Sequence, residues 1–195
     1  DYRTACYALG MSQWQTVTRI VLPSALPGIT TGIMLSVGRS LGETAVLLFT
    51  AGLLQVTVVN VLSLPGGGPD LVLLVLIGLA LVGGPTYGAV TGFAAGLMVD
   101  LMPPVGTEVG RWALVFCLAG YIAGQVRLDA RRSALIVLAV VAGLSAFTVA
   151  AFAGVGLLFG DERVTTDLFV RSLVSTVLYD LFLTPFVIPV VMALA

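Results

Sequence analysis

Apolar residues run almost without relief along this chain, and the few polar breaks divide it into segments. From Asp1 to Pro23 the breaks are frequent. Arg3, Gln13, Gln15 and Arg19 stand among Leu9, Trp14, Val17 and Val21, which are roughly helically spaced. That pattern predicts a short amphipathic helix that does not cross a bilayer. Pro23 and Pro27 are expected to break it, because each removes a backbone donor. Gly28 to Leu62 is a long apolar stretch interrupted by Arg39 and Glu43. As one helix it would be about 50 Å long against a bilayer core of about 30 Å, so a tilt, a break or a cytoplasmic projection is expected. Leu64-Pro-Gly-Gly-Gly-Pro69 predicts a turn, and Asp70 is placed to cap the helix after it. Asp70–Gly83 and Pro85–Leu101 follow, split at Gly84-Pro85 and short enough for a re-entrant pair. Pro103-Pro104 ends the second of them. Arg111–Val126, Ala134–Phe159 and Leu168–Ala195 complete the series, the last kinked at Pro185 and Pro189. The expected fold class is an all-α integral membrane protein. About six transmembrane helices would follow the short cytoplasmic amphipathic helix.

Composition sharpens this picture. Of the 195 residues, 58% are hydrophobic and 10% charged, where a soluble domain carries about 25% charged residues. Such a chain needs lipid as its solvent, and a soluble enzyme is excluded. Histidine is absent, which removes the commonest general base and metal ligand. Cys6 and Cys117 are too far apart in sequence to form a metal-type pair and read as apolar fillers. Gly66-Gly-Gly68 lacks the Lys-Ser/Thr of a phosphate-cradling loop. The basic residues are scattered and the net charge is -1, so nucleic acid is not an expected partner. No cofactor, metal or catalytic residue is expected. Arg127, Arg131 and Arg132 make the most basic loop, which the positive-inside rule places in the cytoplasm. By alternation, the 63–69, 102–110 and 160–167 loops lie outside, and both termini are cytoplasmic. No basic-then-apolar signal peptide opens the chain, and a start at Asp1 without Met is expected of a chain that begins inside a longer gene product.

Ionisable residues within apolar spans are the sharpest functional pointers. A carboxylate at the bilayer centre costs about 2.5–3.5 kcal/mol on the insertion scale. Asp180, beside Tyr179 and ahead of Pro185, therefore reads as a buried polar contact to a neighbouring helix or a partner, or as a group satisfied near the proline kink. Asp100 is placed to pair with Arg111 across a loop, or to stand as an interfacial charge in water. Arg39 and Glu43, four apart, share a helix face and predict an intramembrane ion pair. Gly88, Gly92 and Gly96 form a small-residue ridge, repeated at Gly120 and Gly124 and at Gly28 and Gly32. Such ridges let helix backbones approach closely, within the chain or against a partner or second copy. Tyr87, Trp112 and Tyr121 are candidates for the interfacial aromatic belt.

Two resemblances meet near residue 52. Ala8-Leu-Gly-Met-Ser-Gln-Trp-Gln-Thr16, Ile20-Val-Leu-Pro-Ser-Ala-Leu-Pro-Gly-Ile29, Gly38-Arg-Ser-Leu-Gly-Glu-Thr-Ala45 and Leu48-Phe-Thr-Ala51 resemble the membrane permease of a bacterial phosphate ABC importer, the PstA type. In that family a Gly followed by Ile-x-Leu-Pro marks the EAA loop, which docks on the ATPase subunit. Ala8, Gly10, Trp14, Ile20, Leu22 and Pro23 fall in that register, while Thr4 occupies the loop's acidic position. The implied partners are an ABC ATPase subunit and a second permease subunit. From about Leu53 to Ala195 the chain resembles the actinobacterial form of the rod shape-determining family MreD. The residues are Leu64-Pro-Gly-Gly-Gly-Pro-Asp-Leu71, Gly92-Phe-Ala-Ala-Gly-Leu-Met-Val-Asp-Leu-Met-Pro-Pro104, Gly110-Arg-Trp-Ala-Leu-Val115, Gly120-Tyr-Ile-Ala-Gly124 and Leu178-Tyr-Asp-Leu-Phe-Leu-Thr-Pro-Phe186. This second resemblance covers more of the chain. It implies a non-catalytic scaffold of the cell-elongation machinery in the bacterial plasma membrane. Its implied partners are MreC, the MreB filament system and the peptidoglycan transglycosylase/transpeptidase pair. A fold-level analogy adds the substrate-binding subunit of an energy-coupling factor transporter. The expected organisation is a permease-like segment over 1–52 and an MreD-like domain over 53–195, a chimera or fusion.

Overall fold

The computed structural model describes residues 10, 12–59, 61–62, 64, 67–102, 110–130, 133–158 and 166–194, and all regular structure among them is helical. Ala8, Pro103-Pro104, Arg131, Arg132 and the 160–165 part of the acidic loop lie outside the described residues. The chain divides into two compact units, Asp1–Gly42 and Glu43–Ala195. That division falls ten residues before the motif boundary expected at 52/53.

In the first unit, Gly10 turns the chain with φ 76°. Ser12 then caps helix α1 (Gln13–Thr16). Its hydroxyl accepts from Gln15 N at 3.3 Å, and the Gln15 side chain accepts from Ser12 N at 3.2 Å. This reciprocal box satisfies two backbone donors that a helix start leaves without partners. A π-helical turn, Val17–Val21, leads into α2 (Leu22–Leu54). Pro23 and Pro27 were expected to end the helix; both lie within α2 instead. The wider turn closes with Leu22 N–H reaching back to the Val17 carbonyl, just before Pro23 interrupts the ordinary ladder. An apolar helix tolerates proline in this way where its neighbours or local widening absorb the lost bond.

The second unit takes in the last part of α2, a π-helical turn (Gln55–Val59), α3 (Leu71–Gly83), α4 (Pro85–Leu101), α5 (Arg111–Gln125), the single turn α6 (Arg127–Ala130), α7 (Ala134–Leu158) and α8 (Thr166–Leu194). Its core is α3. Every residue from Val72 to Leu81 is buried, with α4, α5, α6, α7 and α8 all in contact with it. The sequence explains this, because α3 has no polar face to turn outward. At 13 and 17 residues, α3 and α4 are about 20 and 26 Å long, short of a bilayer core of about 30 Å. Gly84 joins them at φ 93° and donates its N–H to the Ala80 carbonyl at 2.8 Å. Among the described residues, three helical stretches are long and apolar enough to cross a membrane: Gln13–Val59, Ala134–Gly156 and Phe169–Leu194. The other helices that the sequence marks as spans, α3, α4 and α5, are 13, 17 and 15 residues long.

Candidate functional site

The first turn of a helix carries backbone N–H groups with no intrahelical acceptor. In an apolar environment each must find a side chain. The start of α3 meets that requirement with groups drawn from across the second unit. Asp70 N donates to Asp180 Oδ1 at 2.8 Å, Leu71 N to Gln55 Oε1 at 2.9 Å, and Leu73 N to Asp70 Oδ1 at 2.9 Å. Gln55 Nε2 also donates to the Pro69 carbonyl at 2.9 Å. Asp180 is fully buried, and its second oxygen accepts from Ser145 Oγ at 2.5 Å. The Thr184 hydroxyl takes the Asp180 carbonyl at 2.6 Å, one turn before Pro185 interrupts the ladder. One carboxylate thus ties α8 to the α3 start and to α7. Asp70 and Asp180 were legible from sequence; Gln55 and Ser145 were missed. Neither carries a local signal, since Ser145 reads as one hydroxyl in an apolar helix. Gln55→Leu removes both bonds to the α3 start and is expected to lower the melting temperature in detergent by about 5 °C. An unchanged melt, followed by tryptophan fluorescence, would show that Gln55 contributes nothing to this cap.

A second carboxylate caps α5. Asp100, buried at the end of α4, accepts from Gly110 N at 2.9 Å, Trp112 N at 3.2 Å and Ala113 N at 3.2 Å. Arg111 is also buried, and its Nε donates to the Phe152 carbonyl of α7 at 3.0 Å. Its guanidinium lies 3.6 Å from the Phe152 ring centroid, and Trp112 stacks on the same ring at 4.4 Å. Gly156 makes room, since a Cβ there would collide with the guanidinium. Asp100 and Arg111 therefore meet at one helix start, where Asp100 serves the backbone and Arg111 reaches α7. Asp100→Ala is expected to destabilise the chain by about 1–2 kcal/mol, the usual cost of losing a helix cap. Denaturant titration of Asp100→Ala against Asp100→Asn checks this, because Asn keeps one acceptor.

The glycine ridges of α4 and α5 face each other, whereas a Cβ at Gly28 or Gly32 would meet no described atom within 4 Å. A Cβ at Gly88 would strike the Gly120 carbonyl, one at Gly92 the Phe116 carbonyl, and one at Gly96 the Trp112 carbonyl. At the far end, a Cβ on Gly124 would strike Pro85. Each four-residue step along α4 is matched by a four-residue step back along α5, so the two backbones pack antiparallel in contact. Tyr179 is half-buried and Pro185 exposed on α8. Arg39 and Glu43 are both exposed on α2 and fall in different compact units. In the first unit, Gly10 is exposed, Trp14 is 76% exposed, Leu22 and Pro23 are exposed, and Ile20 is half-buried. The Ser-x-x-Gln spacing that starts α1 was readable in the sequence and was missed. Among the described residues, no group of three or more Cys, Asp or Glu is placed to hold a metal ion.

Comparison with known proteins gives the region a context. The family model described as binding-protein-dependent transport system inner membrane component matches residues 1–102. The phosphate transport system permease protein PstA of Mycobacterium leprae is 52% identical over 52 residues, 27% of this chain and 17% of that protein. The probable ABC transporter permease protein YqgI of Bacillus subtilis is 55% identical over 53 residues, 27% of this chain and 18% of that protein. The phosphate transport system permease protein PstA of Haemophilus influenzae is 55% identical over 51 residues, 26% and 18% of the two chains. This chain therefore spans under a fifth of the length of these curated relatives. No solved structure matches it. With the model matched from residue 1 to residue 102, more than half of its length, the chain belongs to the family of binding-protein-dependent transport system inner membrane components.

Proposed function

We propose that the chain supplies a membrane permease segment of a phosphate importer, with the 8–23 segment as its dock for an ATP-hydrolysing subunit. The observation that carries this reading is the Gly10 turn. A left-handed residue precedes the capped α1, and Trp14 of α1 is exposed. This arrangement lies within the matched region and on the residues of the EAA-like register. The relatives' printed names supply the substrate: they are phosphate transport permeases. In this reading the loop faces the cytoplasm, the apolar helices lie in the plasma membrane, and a second permease subunit completes the pathway. Proline cannot adopt the positive φ of Gly10. Gly10→Pro is therefore expected to reduce retention of a purified phosphate-importer ATPase subunit at least tenfold in a detergent pull-down. Trp14→Ala, on an exposed side chain, is expected to weaken retention while leaving the melting temperature unchanged. Retention of both variants at the level of the parent chain would overturn the docking role.

A second reading rests on the motif resemblance over 53–195. The motifs that resemble MreD supply the buried contacts of the second unit: Gly92 and Gly96 against α5, Asp100 on the α5 start, and Asp180 on the α3 start. In this reading 53–195 is a scaffold with MreC as its first partner, and these contacts hold the unit together under either reading. The same pull-down scored with MreC in place of the ATPase separates the two readings.

A further inference from the structure

Arg127 opens α6, between the end of α5 and the start of α7. Its turn is closed by Asp129 N and Ala130 N, which both donate to the Val126 carbonyl. α6 packs against α3, α5 and α7, and this draws the Arg127 side chain under the turn that joins α3 to α4. A Cβ at Gly84 would stand 3.4 Å from Arg127 Nη1 and 4.0 Å from Cδ, so the glycine leaves the guanidinium space beside the backbone. Arg127 Nε is shielded from solvent and has no hydrogen-bond partner among the described residues. Such a donor, attached to a charge that cannot be lost, calls for an acceptor. The C-terminal end of α3 favours a cation here through its partial negative charge but leaves Nε–H without an acceptor.

The position indicates where that acceptor comes from. Arg127 sits where two apolar helices end and begin, and the positive-inside rule assigns such an arginine-bearing loop to the cytoplasmic headgroup boundary. Arg131 and Arg132 follow within five residues and add positive charge to the same segment. A guanidinium offers parallel N–H donors that match two oxygens of a phosphate, and Nε is one member of that fork. We propose that Arg127, seated beside Gly84, binds the headgroup phosphate of an anionic phospholipid.

The test uses the purified full chain in a neutral detergent, with phosphatidylglycerol, phosphatidylcholine or inorganic phosphate added. Phosphatidylglycerol is expected to raise the melting temperature by several degrees more than phosphatidylcholine, and native mass spectra should show it retained. Arg127→Gln and Arg127→Lys are expected to lose at least half of that difference. The double variant Arg131→Gln/Arg132→Gln, which leaves the fork intact, should lose less. Arg127→Lys guards against a folding defect, since it keeps the charge and removes only the fork. An undiminished lipid effect in both Arg127 variants overturns the site. Equal stabilisation by millimolar inorganic phosphate, lost in the same variants, overturns the lipid as its occupant.

Discussion

Gly92→Leu is expected to abolish recovery of a folded, monodisperse chain from detergent. At this point α4 lies directly on the backbone of α5. A Cβ on Gly92 would overlap the Phe116 carbonyl oxygen and stand 2.8 Å from the carbonyl carbon and 3.2 Å from Cys117 Cα. These are main-chain atoms on the buried face of α5, and no rotamer change moves them aside. Adding methylenes to a packed core already costs about 1–3 kcal/mol, and a leucine here must also separate two helices along their length. Gly88 and Gly96 sit one turn away on either side with the same contacts, so the pair cannot pivot to relieve the clash. Gly143→Leu is the matched control. It lies in α7 with no described atom within 4 Å of its Cβ position and is expected to behave as the parent chain. Fluorescence-detected size exclusion and a thermal melt of both variants decide the matter. A monodisperse Gly92→Leu with an unchanged melt would mean that α4 and α5 are not in backbone contact.

What the sequence revealed, and what it hid, follows from the range of each interaction. The glycine ridges were legible because the backbone contact needs nothing but small residues at one-turn spacing, and that spacing is written locally. Asp70 as a cap was legible for the same reason: a carboxylate beside a turn and an apolar run has one obvious local task. The partners of Asp180 were not legible. One lies 110 residues away as a backbone N–H, which no side chain announces, and the other is a serine 35 residues away. Asp100 was read as a partner for Arg111 across a loop, or as an interfacial charge in water. Asp100 was already placed to serve three N–H groups of the α5 start, and the long guanidinium could reach a carbonyl and an aromatic face on α7 instead. The proline expectation failed at Pro23 because the rule describes an ordinary i to i−4 ladder, while the chain enters α2 through a wider turn; Pro27 lies within α2 all the same. Apolar length alone does not separate a lipid-facing helix from one enclosed by its neighbours, as α3 is.

Asp180→Leu should be the most damaging single change in the polar network, and Asp180→Asn should be mild. Leucine removes the acceptor of the Asp70 N–H and of the Ser145 hydroxyl at one stroke. Each donor is left buried without a partner, at about 1–3 kcal/mol apiece. Together these losses approach the whole margin of a marginally stable chain. Asparagine keeps an acceptor for the Asp70 N–H, and its amide can donate to Ser145 once that hydroxyl turns, so the geometry survives without the charge. The contrast separates two roles for this aspartate. If Asp180 served a partner within the bilayer, Asp180→Leu would fold normally and fail only in co-purification. If it holds α3, α7 and α8 together, Asp180→Leu loses yield and melting temperature before any partner is added. The coupling can then be measured with Ser145→Ala: because both changes break one hydrogen bond, their combined cost should fall short of the sum by about 1 kcal/mol or more. Strict additivity, or an Asp180→Leu chain that melts with the parent, would remove Asp180 from the architecture and return it to the surface as a binding group.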